Sequence, residues 1–223
     1  MDTISLNKQN RLFWLGRYSE RVYGTIQFAM KAYDRLIDGP SIDYESFCRS
    51  MGIPCEYKNS EDFCRRYLFD GHCPYSVQSG VDAMLGNGMV LRETISSTTL
   101  AYLQMAHGAM EMAAQSESPS VELQWVLDDI MAFRGSFDDA VEEESARNIA
   151  KTGGMVERIS IMLRLNKDPQ RLEKELRKLL NRLYKTDLTP DPAALDVITR
   201  RVLDEEPVEK TVLLNSVEGL FRV

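Results

Sequence analysis

The sequence predicts an all-α protein: a helical bundle of several long antiparallel helices with short helices inserted between them. Apolar residues recur at intervals of three and four along several long segments. Strict alternation of valine, isoleucine and threonine, which would indicate strands, is missing. The 13 glycines and 8 prolines fall mostly between the periodic segments. A chain of 223 residues is long enough for one core, so we expect a single helical domain over 1–223.

The first long helix is expected from Asn10 to Ile37, ended by the breaker sequence at 38–40. Its buried stripe follows helical spacing: Leu15, Tyr18, Val22, Ile26, Ala29, Tyr33 and Leu36. Residues 41–88 predict an irregular insertion of short helices and loops. Breaks are expected at 52–54, 70–71 and 86–88, and Ser60 is placed to cap one short helix.

A second long helix is expected from about Met89 to Gln115. Its predicted apolar side contains Leu91, Ile95, Thr98, Tyr102, Met105 and Met112. The methionine-rich part, with Met105, Met110 and Met112, is typical either of a core or of an adaptable partner surface. The core interpretation is the favoured one.

Five more helices are expected in the second half of the chain. Ser120 is expected to cap a helix with Leu123, Val126, Leu127, Ile130 and Phe133 inward. The acidic run at 138–144 predicts a solvated face or loop. The next helix spans about Ser145 to Leu165, interrupted by Gly153 and Gly154 at about 1 kcal/mol each relative to alanine. Further helices start at Asp168-Pro169 and Asp191-Pro192, and a last one lies near Val208 to Leu220.

Composition and charge exclude several classes of partner. The formal net charge is −7 and the pI is about 5.0, which argues against a nucleic-acid backbone or an anionic membrane as the main partner. No apolar run approaches the roughly 20 residues of a membrane helix. The N-terminal residues lack the pattern of a secretory signal. We therefore expect a cytoplasmic protein.

The four cysteines predict no metal site. Cys48, Cys55, Cys64 and Cys73 contain no C-x-x-C pair, and their spacing fits no usual zinc site. Free cysteines are expected, with metal or redox chemistry as the minor alternative. Gln104, His107 and Glu111 lack the first carboxylate of a di-metal motif, and no phosphate-binding glycine loop is present. We expect no metal and no cofactor.

An acidic-basic dipeptide recurs inside the apolar helices. Glu20-Arg21 follows Gly16 by four residues, and Glu157-Arg158 follows Gly153 by four, so that 137 residues separate the two glutamates. A reversed copy, Arg92-Glu93, lies between them. Arg17, one turn before Arg21, extends the basic strip. Charges on apolar helix faces are costly to bury unless they are paired.

Two main interpretations of these seven residues remain open. Neighbours on a helix point about 100° apart, so Glu20 and Arg21 are expected to pair across helices, where the glycine lets another helix approach. The favoured interpretation is a structural charge network that fixes helix register. In the alternative, the arginines hold an anionic group in an internal groove, since guanidinium groups grip carboxylates or phosphates. Catalytic glutamates are a third hypothesis, but no second catalytic motif accompanies them.

The stretch from Leu12 to Arg21 (Leu-Phe-Trp-Leu-Gly-Arg-Tyr-Ser-Glu-Arg) resembles the opening of the alpha-E domain family. Gly153-x-x-x-Glu157-Arg158 is similar to that family's second motif. The resemblance implies an all-helical bacterial domain that occurs beside, or fused to, circularly permuted ATP-grasp proteins and transglutaminase-like proteins. It therefore implies an accessory or scaffold protein, without catalysis of its own, in the synthesis or modification of a peptide or amide-linked product.

The resemblance leaves an alternative function and the assembly state open. In the alternative, the chain is an enzyme component, a transferase or ligase, that binds an anionic substrate in a groove lined by the Glu-Arg pairs. The family carries no established catalytic residues onto this sequence. A homo-oligomer also remains open.

Overall fold

Ten helices occupy the part of the chain that the structure describes. The computed structural model describes residues 4–38, 43–203 and 207–221, with side chains from 4 to 31 in the first range. The helices are α1 (Leu6–Asp38), α2 (Tyr44–Met51), α3 (Ser60–Phe69), α4 (Val77–Val90), α5 (Ser97–Gln115), α6 (Ser120–Ala140), α7 (Glu144–Arg164), α8 (Pro169–Leu183), α9 (Pro192–Leu203) and α10 (Lys210–Glu218). The all-α prediction is confirmed.

The chain forms two compact units. The first unit combines Met1–Arg17 with Glu143–Val223, and the second unit is Tyr18–Glu142. The boundary lies inside α1, so one continuous helix contributes residues to both units. The single-domain prediction for 1–223 stays a prediction.

The first unit is built around α7, which packs against α8 and α10, while α9 packs against α8 and α10. Thirteen residues of α7 are buried. Phe13 of α1 makes an edge contact with Phe221, with ring centroids 5.5 Å apart. Asp168 and Asp191 cap α8 and α9 by accepting hydrogen bonds from backbone N–H groups, as their Asp-Pro sequences predict.

The second unit contains the rest of α1 and helices α2 to α6. α4 packs against α3 and α5, and α5 packs along α6. Predicted inward residues of α1 and α6 are buried: Leu15 (first unit), Val22, Ile26, Ala29, Leu123, Val126, Leu127, Ile130 and Phe133. Tyr18 is half-buried, whereas the side chains of Tyr33 and Leu36, and the predicted break at Gly39-Pro40, lie outside the described residues.

One predicted break and two predicted caps within 41–120 are wrong. Residues 86–88 form no turn but lie inside α4, where a Cβ on Gly88 would come within 2.3 Å of Leu103 Cδ1. The glycine there allows close packing of α4 on α5. The caps also differ: Asn59, not Ser60, caps α3, and Ser120 is the first residue of α6 without a side-chain cap.

The buried face of α5 also differs from the prediction. The helix begins at Ser97. Half of its six buried residues are alanines: Thr99, Leu103, Ala106, Ala109, Met110 and Ala113. Thr98, Met105 and Met112 are exposed, and Tyr102 is half-buried. The alanines on this face let α5 pack closely on α6, while the larger Met105 and Met112 lie toward solvent.

Candidate functional site

The glycines of the two Glu-Arg motifs form a close helix crossing in the first unit. A Cβ added to Gly16 of α1 would lie 1.8 Å from the carbonyl oxygen of Ala150 in α7. A Cβ added to Gly153 would lie 2.0 Å from the carbonyl oxygen of Phe13. Real Cβ atoms do not approach backbone atoms so closely, so only glycine permits this contact.

The crossing is reciprocal. The residue three positions before each glycine supplies the carbonyl that the other glycine meets, and Phe13 and Ala150 are separated by the same 137 residues as Gly16 and Gly153. The two motif copies therefore meet each other through a local two-fold relation. α7 runs unbroken through Gly153 and Gly154, so the predicted interruption does not occur.

Next to this crossing, Arg17 and Glu157 form a buried ion pair between α1 and α7. Arg17 Nε lies 2.8 Å from Glu157 Oε2, and the two side chains are 10% and 4% exposed. The Arg17 guanidinium also lies 4.8 Å from the centre of the Trp14 ring. A charge-assisted hydrogen bond and a cation–π contact thus stabilise the guanidinium where water has little access.

Glu20 pairs with a residue that the sequence did not single out. Arg134 Nη2 of α6 lies 3.0 Å from Glu20 Oε2, and the side chains are 27% and 12% exposed. The same guanidinium donates hydrogen bonds to Ser19 Oγ and to the Ser19 carbonyl, and it lies 4.8 Å from the centre of the Tyr23 ring. Arg134 therefore ties α6 to one turn of α1 within the second unit.

Arg158 belongs to a triad with α8. Its Nη1 lies 3.3 Å from Glu175 Oε2, and Lys178 Nζ lies 2.7 Å from Glu175 Oε1. Burial alone would raise the pKa of the Glu175 carboxyl, but the hydrogen bond and charge of Lys178, together with Arg158, hold that pKa below its ordinary value. One buried carboxylate is thus held by two cations.

Arg21 contributes to an aromatic environment in the second unit. Its guanidinium lies 5.7 Å from the centre of the Tyr18 ring. Burial raises the pKa of Tyr67 to about 12. A hydrogen bond with Thr25 and the positive charge of Arg21 act in the opposite direction but do not offset the effect of burial. Tyr67 stacks on Phe63 with ring centroids 5.1 Å apart.

The reversed copy differs from the other two. Arg92 and Glu93 lie in the turn between α4 and α5, not on the long helix expected from Met89. Their side chains are 68% and 88% exposed, and they contact each other at 3.3 Å. The prediction of a third buried motif on a helix is therefore wrong. Because α4 ends at Val90, Arg92 and Glu93 lie in a turn where water reaches both side chains.

Sequence reasoning missed the partners that neutralise the motif charges. These partners are Arg134, Glu175 and, through Glu175, Lys178. A separate contact further along α7 was missed too: Arg164 Nη2 lies 2.9 Å from Glu218 of α10, and Ser160 Oγ donates to the same carboxylate. No repeat marks these residues. Only the i, i+3 spacing of Glu175 and Lys178 is a local signal.

The described residues contain no group of three or more histidine, cysteine, aspartate or glutamate side chains that could hold a metal. All four cysteines are free: Cys48 and Cys64 are buried, Cys73 is half-buried and Cys55 is exposed. Burial raises the pKa of the Cys64 thiol to about 11, which disfavours the reactive thiolate. His107 is a half-buried helix residue with Nε2 3.2 Å from Asp82 Oδ1.

An open groove lies between α5 and α6 in the second unit. Its volume is about 430 Å³, and it is lined by Met105, Gly108, Ala109, Met112, Trp125, Asp128 and Asp129. None of these residues belongs to the Glu-Arg motifs. Two of the methionines that were expected in the core thus line a surface that faces solvent.

A family model described as Alpha-E, a predicted alpha-helical domain with a conserved ER motif, matches residues 9–189. Comparisons with curated proteins and with solved structures give no significant match. Among the described residues, no helix is both long and apolar enough to cross a membrane. The chain belongs to the Alpha-E family.

Proposed function

We propose that this protein is an accessory or scaffold protein, without catalysis of its own, that binds a partner enzyme. The partner is an ATP-grasp ligase or a transglutaminase-like protein, and the system makes or modifies a peptide or amide-linked product in the cytoplasm. The setting that the family resemblance implies supports this proposal, together with one observation: the apolar α5–α6 groove is open, while four of the motif charges are paired. These four, each in contact with an opposite charge, are Arg17, Glu20, Glu157 and Arg158.

The ion pairs support a structural role for the Glu-Arg motifs. Arg17 and Arg158 each contact a carboxylate that is at most 5% exposed. To bind Arg17, an anionic substrate would have to displace Glu157 and leave that buried carboxylate without Arg17, which costs several kcal/mol. At Arg158 the substrate would compete with Glu175. The enzyme alternative, in which these arginines hold an anionic substrate, is therefore disfavoured.

A pull-down from the native host tests the proposal. The tagged chain, cross-linked in cells, is expected to enrich an ATP-grasp or a transglutaminase-like protein over an equally tagged, unrelated helical protein. The Arg92→Ala variant is a matched control and should enrich the same partner, because Arg92 is exposed. The purified chain alone is expected to release no phosphate from ATP. Failure to enrich either class, or turnover by the chain alone, would overturn the proposal.

A further inference from the structure

The α5–α6 groove has the dimensions of a helix-binding surface. Met105, Met112 and Trp125 are 53%, 50% and 46% exposed. A Cβ on Gly108 would meet nothing within 4 Å, so the space above this residue is open. Met105 and Met112 lie seven residues apart on α5, or about 10 Å at 1.5 Å per residue. That distance matches the i to i+7 spacing of apolar anchors on a partner helix.

The apolar surface extends beyond the groove. Val121, one turn before Trp125 on α6, is 58% exposed and does not line the groove itself. Methionine side chains are flexible and polarizable, so they adapt to apolar side chains of different shapes. A stripe of this length and composition fits an amphipathic helix better than a compact small molecule.

The charges around the groove are of one sign. Residues 97–133, which include all of α5 and most of α6, contain no lysine or arginine and five acidic residues: Glu111, Glu117, Glu122, Asp128 and Asp129. Two of them, Asp128 and Asp129, line the groove one turn after Trp125. Burial, and next the negative charge of Asp128, raise the pKa of the Asp129 carboxyl. A cation at this point would relieve the repulsion between the two carboxylates.

We propose that this groove binds a basic amphipathic helix of the partner protein. Its apolar side chains enter between Met105, Met112 and Trp125, and its lysine or arginine side chains pair with Asp128 and Asp129. The inference rests on the proposed accessory function and names the recognition element of the partner. A helix that carries acidic side chains instead is expected to bind weakly, because its carboxylates would face those of Asp128 and Asp129.

Peptide binding to the purified full chain tests this inference directly. The probe is a fluorescent 14-residue peptide with leucine at helical spacing and lysine elsewhere, and its twin carries glutamate in place of lysine. We expect the lysine peptide to bind at least about ten times more tightly, with an affinity that falls as salt rises. Equal binding of the two peptides, or no binding, would overturn the inference.

Variants locate the peptide on the chain. Met112→Glu and the double variant Asp128→Asn with Asp129→Asn are each expected to weaken lysine-peptide binding by about tenfold or more. Met131→Glu is the matched control, because Met131 is equally exposed on α6 but does not line the groove. It should bind like the wild type. Circular dichroism of each variant verifies its fold, and an equal loss with Met131→Glu contradicts the assignment.

Two outcomes separate this inference from the proposed function. If wild-type and Met112→Glu chains enrich the same ATP-grasp or transglutaminase-like protein equally, the function stands and the groove assignment fails. If the wild type enriches neither class while the lysine peptide still binds the groove, the accessory function fails instead. A change in oligomer mass with Met112→Glu, without a change in peptide binding, would identify a second copy of the chain as the occupant and overturn the inference.

Discussion

The two Gly-x-x-x-Glu-Arg copies have the same pattern, but their glutamates are neutralised differently. Glu157 pairs with Arg17, one turn before the other copy's Arg21. Glu20 pairs with Arg134 of α6, which lies outside either motif, and this pair is more exposed. The difference has a simple cause in the sequence: the position equivalent to Arg17 in the second copy is Gly154, which has no side chain to offer.

The comparison separates two roles within the motif. Both glycines do the same thing, since each receives the backbone of the other helix. The two glutamates are both buried, but they pair with arginines at unrelated positions: Glu157 with Arg17 and Glu20 with Arg134. We infer that the motif specifies a helix crossing first and a particular ion pair second.

The largest expected effect is at the crossing. Gly153→Ala places a Cβ against the Phe13 carbonyl, and backbone cannot move aside as a flexible side chain can. We expect the free energy of unfolding to fall by about 3 kcal/mol or more in urea titrations. Gly135→Ala in α6 is the control: its Cβ meets nothing, so it should raise stability by about 0.5–1 kcal/mol. Similar values for the two variants would contradict the crossing.

The next effect distinguishes the two glutamates. Glu157→Gln leaves the buried Arg17 charge without a counter-ion and should cost about 3–5 kcal/mol. Glu20→Gln should cost less, about 1–2 kcal/mol, because Arg134 is partly solvated and keeps its hydrogen bonds to Ser19. Chemical denaturation of both variants measures the difference. Equal costs would mean that the two pairs are equivalent despite their different partners.

A smaller effect concerns the triad around Glu175. Its pKa in the folded protein is lowered, so its contribution to stability is present above the ordinary glutamate value of 4.5 and is lost as pH falls through the lower folded value. Glu175→Gln should therefore lose less stability than the wild type between pH 5 and the acid transition. Glu117→Gln, at an exposed site, is the control and should follow the wild-type curve. If the stability of Glu175→Gln fell with decreasing pH as steeply as that of the wild type, the ion pairs of Glu175 would not contribute as described.

The smallest effect is expected at the reversed copy. Arg92→Ala removes a contact between two exposed charges in a turn, and such pairs contribute about 0–1 kcal/mol. We expect a change in melting temperature of no more than about 2 °C by differential scanning calorimetry. A larger shift would show that the third copy shares the structural role of the other two.

The helix crossing at Gly16 and Gly153 was easier to predict from the sequence than the ion-pair partners around it. The common glycine offset and the long apolar periodicities were sufficient to expect helices that approach at Gly16 and Gly153. Arg134, Glu175 and Glu218 carried no such signal, because an ion pair between distant segments depends on tertiary packing. The partner surface was only the less favoured interpretation of the methionines, for a related reason: periodicity cannot show whether alanines or methionines of α5 face inward, since that choice depends on how closely α6 approaches.

Because α1 is divided between the two units, the units are expected to fold in a particular order during synthesis. Residues up to Arg17 are synthesised early, yet the unit that they complete also needs residues from Glu143 onward. The second unit is translated in full before α7 exists, so it can form first on the ribosome. Gly16 must then wait for more than one hundred further residues before it meets Ala150. Any delay in translation after α6 prolongs the time for which that face of α1 lacks its neighbour and is open to chaperones.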